Sequence, residues 1–239
     1  MKPRLEALEV KIFADGAAHA GIVELAKNPL IKGFTTNPTL MHKAGIRDYE
    51  AFARELLDVV PDLPISFEVF SDEFDEMERQ ALKMAAWGDN VYVKIPITNT
   101  RAEDSGPLLA HLAAEGVKTN VTALMTLGQV RRASERLAGG PPSCVSVFAG
   151  RVADTGRDPV PIMAAAVELL RPYSNVELIW ASPRELLNIL QADAVGCHII
   201  TVAHDVLQKI SLVGRDLADY SLATVRMFYE DGQAAGFSL

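Results

Sequence analysis

Lys94 stands in the middle of the run Val91-Tyr92-Val93-Lys94-Ile95-Pro96-Ile97-Thr98. A run so rich in β-branched and apolar residues, set between Trp87-Gly88-Asp89-Asn90 and Asn99, predicts a strand buried on both faces. An unpaired ammonium is expensive to bury, and the usual relief is loss of the proton. A neutral lysine is a nucleophile for carbonyl groups, so Lys94 is the leading candidate for a Schiff-base residue. The alternative is a lysine at a strand edge whose head reaches solvent.

Schiff-base chemistry needs more than the amine. A carbinolamine has to lose water, a C–C bond has to break into the iminium, and each proton has to be delivered or removed in turn. That work asks for carboxylates near the amine, with amides and hydroxyls to orient substrate hydroxyls and an attacking water. Residues of these types recur at the ends of the segments that read as strands: Asp15, Thr35, Asn37, Glu68, Asn120, Thr122, Ser146, Arg151, Asp154, Ser182 and Thr201. Singly, each has a plainer role. Asp15 suits a helix N-cap and Asn37 a turn before Pro38. Thr122 suits a buried strand hydroxyl, Arg151 and Arg157 a solvated loop, and His204 a helix start. Their joint placement carries the reading.

The elements that must position them alternate. Strands are predicted at Val10–Asp15, Lys32–Thr36, Pro64–Phe70, Val91–Thr98, Val117–Thr122, Ser143–Phe148, Val176–Ala181 and Cys197–Val202. Helical patterns follow most of them, with Ser182-Pro183 opening the one after the seventh strand. Ala149 to Asp158 reads as a long polar loop. About eight strand–helix units with short connections, in 239 residues, predict one (β/α)8 barrel domain. An open doubly wound sheet would concentrate polar strand ends at one switch point, whereas here they recur on nearly every strand. A last helix, about 216 to 234, lies beyond the barrel. Its Leu217, Tyr220, Ala223, Thr224 and Met227 suit either a neighbouring subunit or their own barrel.

Composition excludes several classes. A net charge of −8 argues against a nucleic-acid grip or an anionic membrane surface as the main partner. No window has the length of an apolar transmembrane helix, and Met1 to Glu6 has no apolar core of signal-peptide length, so a cytoplasmic protein is expected. Cys144 and Cys197 lie in apolar segments without ligand-like spacing and read as small buried residues. The five histidines show no zinc pattern, and there is no P-loop or dinucleotide-binding glycine motif. No cofactor and no metal are expected.

Six motifs together resemble the transaldolase family, most closely its short-chain members, which include the fructose-6-phosphate aldolases. They are Phe13-Ala14-Asp15, Thr35-Thr36-Asn37-Pro38-Thr39, Val93-Lys94-Ile95-Pro96, Asn120-Val121-Thr122, Phe148-Ala149-Gly150-Arg151 and Ala181-Ser182. The resemblance runs from about Val10 to about Ile210. It implies a (β/α)8 barrel and a class I mechanism without metal, acting on sugars or sugar phosphates, commonly in an oligomer. Carried over by position, it implies that Lys94 forms the Schiff base and Asp15 is the acid/base at the cleaved bond. It likewise implies that Glu68 and Thr122 handle the catalytic water. By the same resemblance Thr35, Asn37, Asn120, Ser146, Phe148, Arg151 and Ser182 are expected to line the substrate site, with Ser146 and Arg151 on the phosphate.

The fructose-6-phosphate aldolases carry glutamine where Glu68 stands and tyrosine where Phe148 stands. Both positions here match the transaldolase branch. Glutamate ferries a proton and glutamine does not. Transfer of a dihydroxyacetone unit between sugars is therefore expected. The alternatives are an aldolase using free dihydroxyacetone, or a transaldolase-like enzyme of a specialised sugar pathway. The second arises because the family usually continues Ala-Ser-Phe with arginine or lysine, completing its phosphate site. Here Pro183-Arg184 follows Ser182, which reads as a shortened loop; Arg184 is the candidate substitute, although a helix start would place it differently.

Overall fold

A computed structural model describes residues 7–237. Eight parallel strands close in sequence order into a barrel. They are β1 (Lys11–Asp15), β2 (Ile31–Thr35), β3 (Ile65–Glu68), β4 (Val91–Pro96), β5 (Thr119–Leu124), β6 (Ser143–Val147), β7 (Val176–Trp180) and β8 (Ile199–Ala203). The helices between them are α1 (His19–Leu25), α2 (Pro38–Lys43), α3 (Tyr49–Val59), α4 (Phe74–Ala85), α5 (Gly106–Ala114), α6 (Leu127–Leu137), α7 (Ala149–Asp154), α8 (Val160–Leu170) and α9 (Leu187–Ala194). After β8 come α10 (His204–Leu207), a short 3₁₀ turn and α11 (Leu217–Ala234). This is the (β/α)8 architecture with an added C-terminal helix.

Strand alternation divides the apolar residues between two compartments. Outward positions such as Val91, Val93, Ile95, Val145, Leu178 and Ile200 pack against the inner stripes of the helices, where Leu56, Met77, Leu109, Val130 and Met163 lie. Some of the helices start where a side chain satisfies their free N–H groups. Asn37 caps α2 through Leu40 N, Asp48 caps α3 through Ala51 N, and Thr126 with Gln129 forms a capping box on α6.

Inside the barrel the filling is layered. At the N-terminal end Lys11 donates to both oxygens of Glu177, at 2.6 and 2.7 Å. Above that pair Phe13, Cys144, Ile179, Ala181 and Ile199 form an apolar cluster of their own. Gly33 makes room for it, since a Cβ there would stand 2.6 Å from the Phe13 ring. Both cysteines are free and buried, as their apolar settings imply, and burial pushes the Cys197 thiol up to about 12.

Two segments differ from the sequence reading. The expected loop after β6 begins with the helix α7, and Ser182-Pro183 opens no helix, because α9 starts only at Leu187. The C-terminal helix α11 stands where predicted but buries no residue on its own barrel. Leu217, Val225, Phe228 and Tyr229 are each at least 60% exposed, so the helix does not use its own barrel to cover them.

Candidate active site at the C-terminal mouth of the barrel

Glu68 is in register with Lys94, and Lys94 with Asn120, across three neighbouring strands. Register partners share a face, and these three point into the barrel. Lys94 is 6% exposed. Its Nζ donates to the Thr36 carbonyl at 2.9 Å and lies 3.0 Å from Glu68 Oε2. The cost of burying the amine is therefore offset by a carboxylate and a carbonyl, not by escape to solvent.

Asp15 closes β1 on the far side of the same mouth. It caps no helix: α1 begins after Ala18, and the Asp15 carboxylate instead accepts from Thr35 Oγ1 at 2.7 Å. Thr35 Oγ1 in turn lies 2.5 Å from Thr201 Oγ1. Burial pushes the Asp15 carboxyl above its ordinary range, and the nearby Glu68 charge adds to the rise. Lys94 and the Thr35 hydroxyl pull it down, but burial outweighs them.

A cavity of about 560 Å³ opens above these groups, lined by Asn37, Lys43, Glu68, Lys94, Thr122, Phe148, Arg151 and Arg184 among others. A deeper compartment of about 110 Å³ shares Asn37, Lys94, Thr122, Phe148 and Arg151 with it and adds Asp15, Thr35, Ser146, Ser182 and Thr201. Thr122 Oγ1 is buried and has no hydrogen-bond partner among the described residues. Two residues with positive φ, Ala123 at 63° and Ser182 at 59°, line the two compartments. Such outliers each cost about 1–3 kcal/mol and gather at functional sites.

Of the eleven residues that the resemblance implies for the site, all but Asn120 line this space, Thr201 lines it too, and Asp154 does not. Asn120 accepts from Ser146 Oγ at 2.7 Å and donates to Ser66 Oγ at 3.0 Å. Both ends of its amide are thus spent within the barrel. Asn37 combines two roles, capping α2 while lining both compartments.

Arg184 is the clearest correction. The sequence offers it as a substitute, with a helix start expected to place it differently; no helix starts there, and the segment before α9 brings Arg184 to the lining of the cavity. Gly150 permits this placement. A Cβ there would lie 1.5 Å from the Ser182 carbonyl oxygen, so only glycine lets α7 approach the turn after β7. Arg184 pairs with Asp154 of α7, and Arg151 lies 5.0 Å from the centre of the Phe148 ring. Lys43, at the end of α2, adds a third cation that sequence reasoning did not single out.

The fold and this lysine-centred mouth define a barrel of the class that builds its site on strand ends. The chain belongs to the family described as Transaldolase/Fructose-6-phosphate aldolase, which matches residues 12–238. A "probable transaldolase" of Thermoanaerobacter sp. (strain X514) is 36% identical over 231 residues, covering 96% of this chain and all of that protein. A "probable transaldolase" of Dehalococcoides mccartyi is 33% identical, covering 88% of this chain and 98% of that one. Among solved structures, 2,3-dimethylmalate lyase, a PEP mutase/isocitrate lyase superfamily member, superposes with a TM-score of 0.52 at 14% identity. It covers 98% of this chain and 86% of its own, and at that identity it shares the fold alone.

Proposed function

We propose that this chain is a class I transaldolase, moving a dihydroxyacetone unit from a ketose donor to an aldose acceptor through an iminium on Lys94. One observation carries the reading: a buried amine 3.0 Å from Glu68, on the floor of a cavity that also holds Asp15 and is rimmed by cations.

The amine attacks the donor ketone in its neutral form, so its proton first passes to Glu68. Glu68 then returns a proton to the carbinolamine hydroxyl, which leaves as water and yields the iminium. Asp15 takes the proton of the C4 hydroxyl, the C3–C4 bond breaks, and its electron pair falls into the iminium as an enamine. The shortened aldose departs. An acceptor aldehyde is attacked by the enamine carbon, and its oxygen takes back the proton held by Asp15. Water, oriented by Glu68 and the unpartnered Thr122 hydroxyl, releases the product. A carboxyl held high by burial suits a group that must carry a proton through the middle of the cycle.

The rim suits a phosphorylated substrate, with Ser146 and Arg151 nearest the deep compartment and Arg184 and Lys43 outside it. The pairing of Arg184 with Asp154 favours a second reading, weak phosphate recognition and an unphosphorylated donor such as free dihydroxyacetone. We also read the chain as a single-domain cytoplasmic homo-oligomer whose subunits meet through the exposed apolar face of α11. Among the described residues no helix is long and apolar enough to cross a membrane.

The test is borohydride reduction in the presence of a ketose donor, followed by peptide mass spectrometry. The expected result is added mass on Lys94, absent from Lys94→Ala. Labelling elsewhere, or labelling that survives the substitution, overturns the mechanism. A donor and acceptor panel, phosphorylated and not, separates the two readings.

A further inference from the structure

The Glu68 backbone is held from outside the sheet. In the β2–β3 ladder, Phe34 N donates to the Pro64 carbonyl at 2.8 Å and Thr36 N to the Ser66 carbonyl at 3.0 Å. One more step would pair residue 38 with the Glu68 carbonyl, and the Glu68 N–H with the Thr36 carbonyl. Neither bond forms. Residue 38 is a proline and has no N–H to give. The Thr36 carbonyl is occupied by Lys94 Nζ at 2.9 Å.

Tyr49 takes both vacated places. Its hydroxyl accepts from Glu68 N and donates to the Glu68 carbonyl, each at 2.9 Å. The ring is fixed in α3 against Phe67 and Trp87, at centroid distances of 6.3 and 6.2 Å. Buried backbone groups left without partners are costly, so without this hydroxyl the Glu68 backbone would have to shift to find others, toward the Thr36 carbonyl that already holds the amine.

We infer that Tyr49 is a positioning residue: its hydroxyl replaces the missing strand step at Glu68, fixing the carboxylate beside Lys94 and leaving the Thr36 carbonyl free for the amine. This rests on the Lys94 iminium proposed above. Burial pushes the phenol up, so the hydroxyl keeps its proton across the working range. The charged groups around it are Glu68 of β3, Arg47, Asp48 and Glu50 of its own segment, and Arg79 and Lys83 of α4.

The test compares Tyr49→Phe with Trp87→Phe, which loosens the same aromatic cluster but keeps the hydroxyl. For Tyr49→Phe we expect kcat and the rate of borohydride trapping to fall roughly tenfold to a hundredfold, the scale of a small misplacement in a reacting pair. KM should change little, and the pH profile of kcat should shift. Trp87→Phe should lower Tm while keeping the parent kcat and profile. If Tyr49→Phe does not fold, 3,5-difluorotyrosine placed at position 49 keeps the shape but makes the phenol more acidic, and the alkaline limb of kcat should move to lower pH. Parent-like kcat and profile in Tyr49→Phe, or an unmoved limb in the fluorinated protein, overturns the inference alone. Absence of any Lys94 adduct in the unmutated protein overturns the proposed function, and this inference with it.

Discussion

Asp154 and Arg184, thirty residues apart, are locked at the mouth of the barrel: Arg184 Nε donates to Asp154 Oδ1 at 2.9 Å, and a second guanidinium nitrogen reaches Oδ2. The carboxylate therefore occupies the fork that a phosphate would use. Asp154→Asn should lower KM for phosphorylated acceptors severalfold and leave unphosphorylated ones unchanged. Arg184→Ala should raise KM for the phosphorylated set by roughly tenfold or more, the loss expected of a charged hydrogen bond. Steady-state kinetics with matched acceptor pairs checks both. Equal effects on both sets would remove Arg184 from phosphate recognition.

Asp15→Asn should separate stability from activity. Because the folded chain holds the Asp15 proton to higher pH than the unfolded chain, stability falls as pH rises from near 4 through the raised value. Once pH has risen above the unfolded value the carboxyl is therefore a cost that asparagine removes. Tm should rise at pH 7 and coincide with the parent below about pH 4, each kcal/mol appearing as about 2–4 °C in a chain of this size. Turnover should meanwhile fall by about two to four orders of magnitude, as for loss of a general base. A lower Tm at neutral pH would contradict the account of this carboxyl.

Glu68→Gln tests the partner of the amine. Removing one member of a buried pair costs about 3–5 kcal/mol in full, and the glutamine amide oxygen recovers part of it. The variant should fold with a lowered Tm, and iminium formation should slow by at least about a hundredfold. Single-turnover trapping reads the second effect directly. Unchanged trapping would take Glu68 out of the proton path.

Gly150→Ala tests the approach of α7 to the turn after β7. The added methyl meets the Ser182 carbonyl oxygen at 1.5 Å and Arg184 Cγ at 3.4 Å, so the turn has to move. We expect a loss of stability in the upper range for single substitutions, roughly 4 kcal/mol or more, together with weaker binding of phosphorylated substrates. Thermal melts and acceptor kinetics test the pair.

Ending the chain after Arg215 should leave the barrel folded, because α11 contributes no buried residue to it. The truncated protein should have a far-UV spectrum reduced only by one helix and a lower mass by light scattering. Collapse of the barrel would mean that α11 supports it. An unchanged mass would mean that subunits meet elsewhere.

Much of this was legible in the chain. The strands announce themselves as apolar runs of four to six residues between turn signals, and Lys94 stands out because it interrupts one of them. What was missed depends on partners distant in sequence. The loop expected after β6 contains Gly150, Arg151, Asp154 and Gly156, a poor helical composition, and the six-residue α7 forms where its glycine fits against Ser182. The helix α2 hides behind Asn37-Pro38, although an N-cap asparagine followed by proline is also a helix-start signal. Nothing near Tyr49 in sequence says that its hydroxyl serves a strand nineteen residues on. Arg184 looked displaced because proline commonly opens helices, whereas here it only shapes a turn.

The ring of Phe13 lying across Gly33 makes the barrel a vessel with a stopper in its base. Solvent entering from the Lys11–Glu177 end meets that apolar plug before it can reach the lysine. For the proposed iminium, hydrolytic water is then turned away at the base and left to approach from the end where sugars come and go. A sugar seated there would shield the bond from its hydrolytic competitor, so occupancy of the mouth would bias the fragment toward being handed on rather than lost.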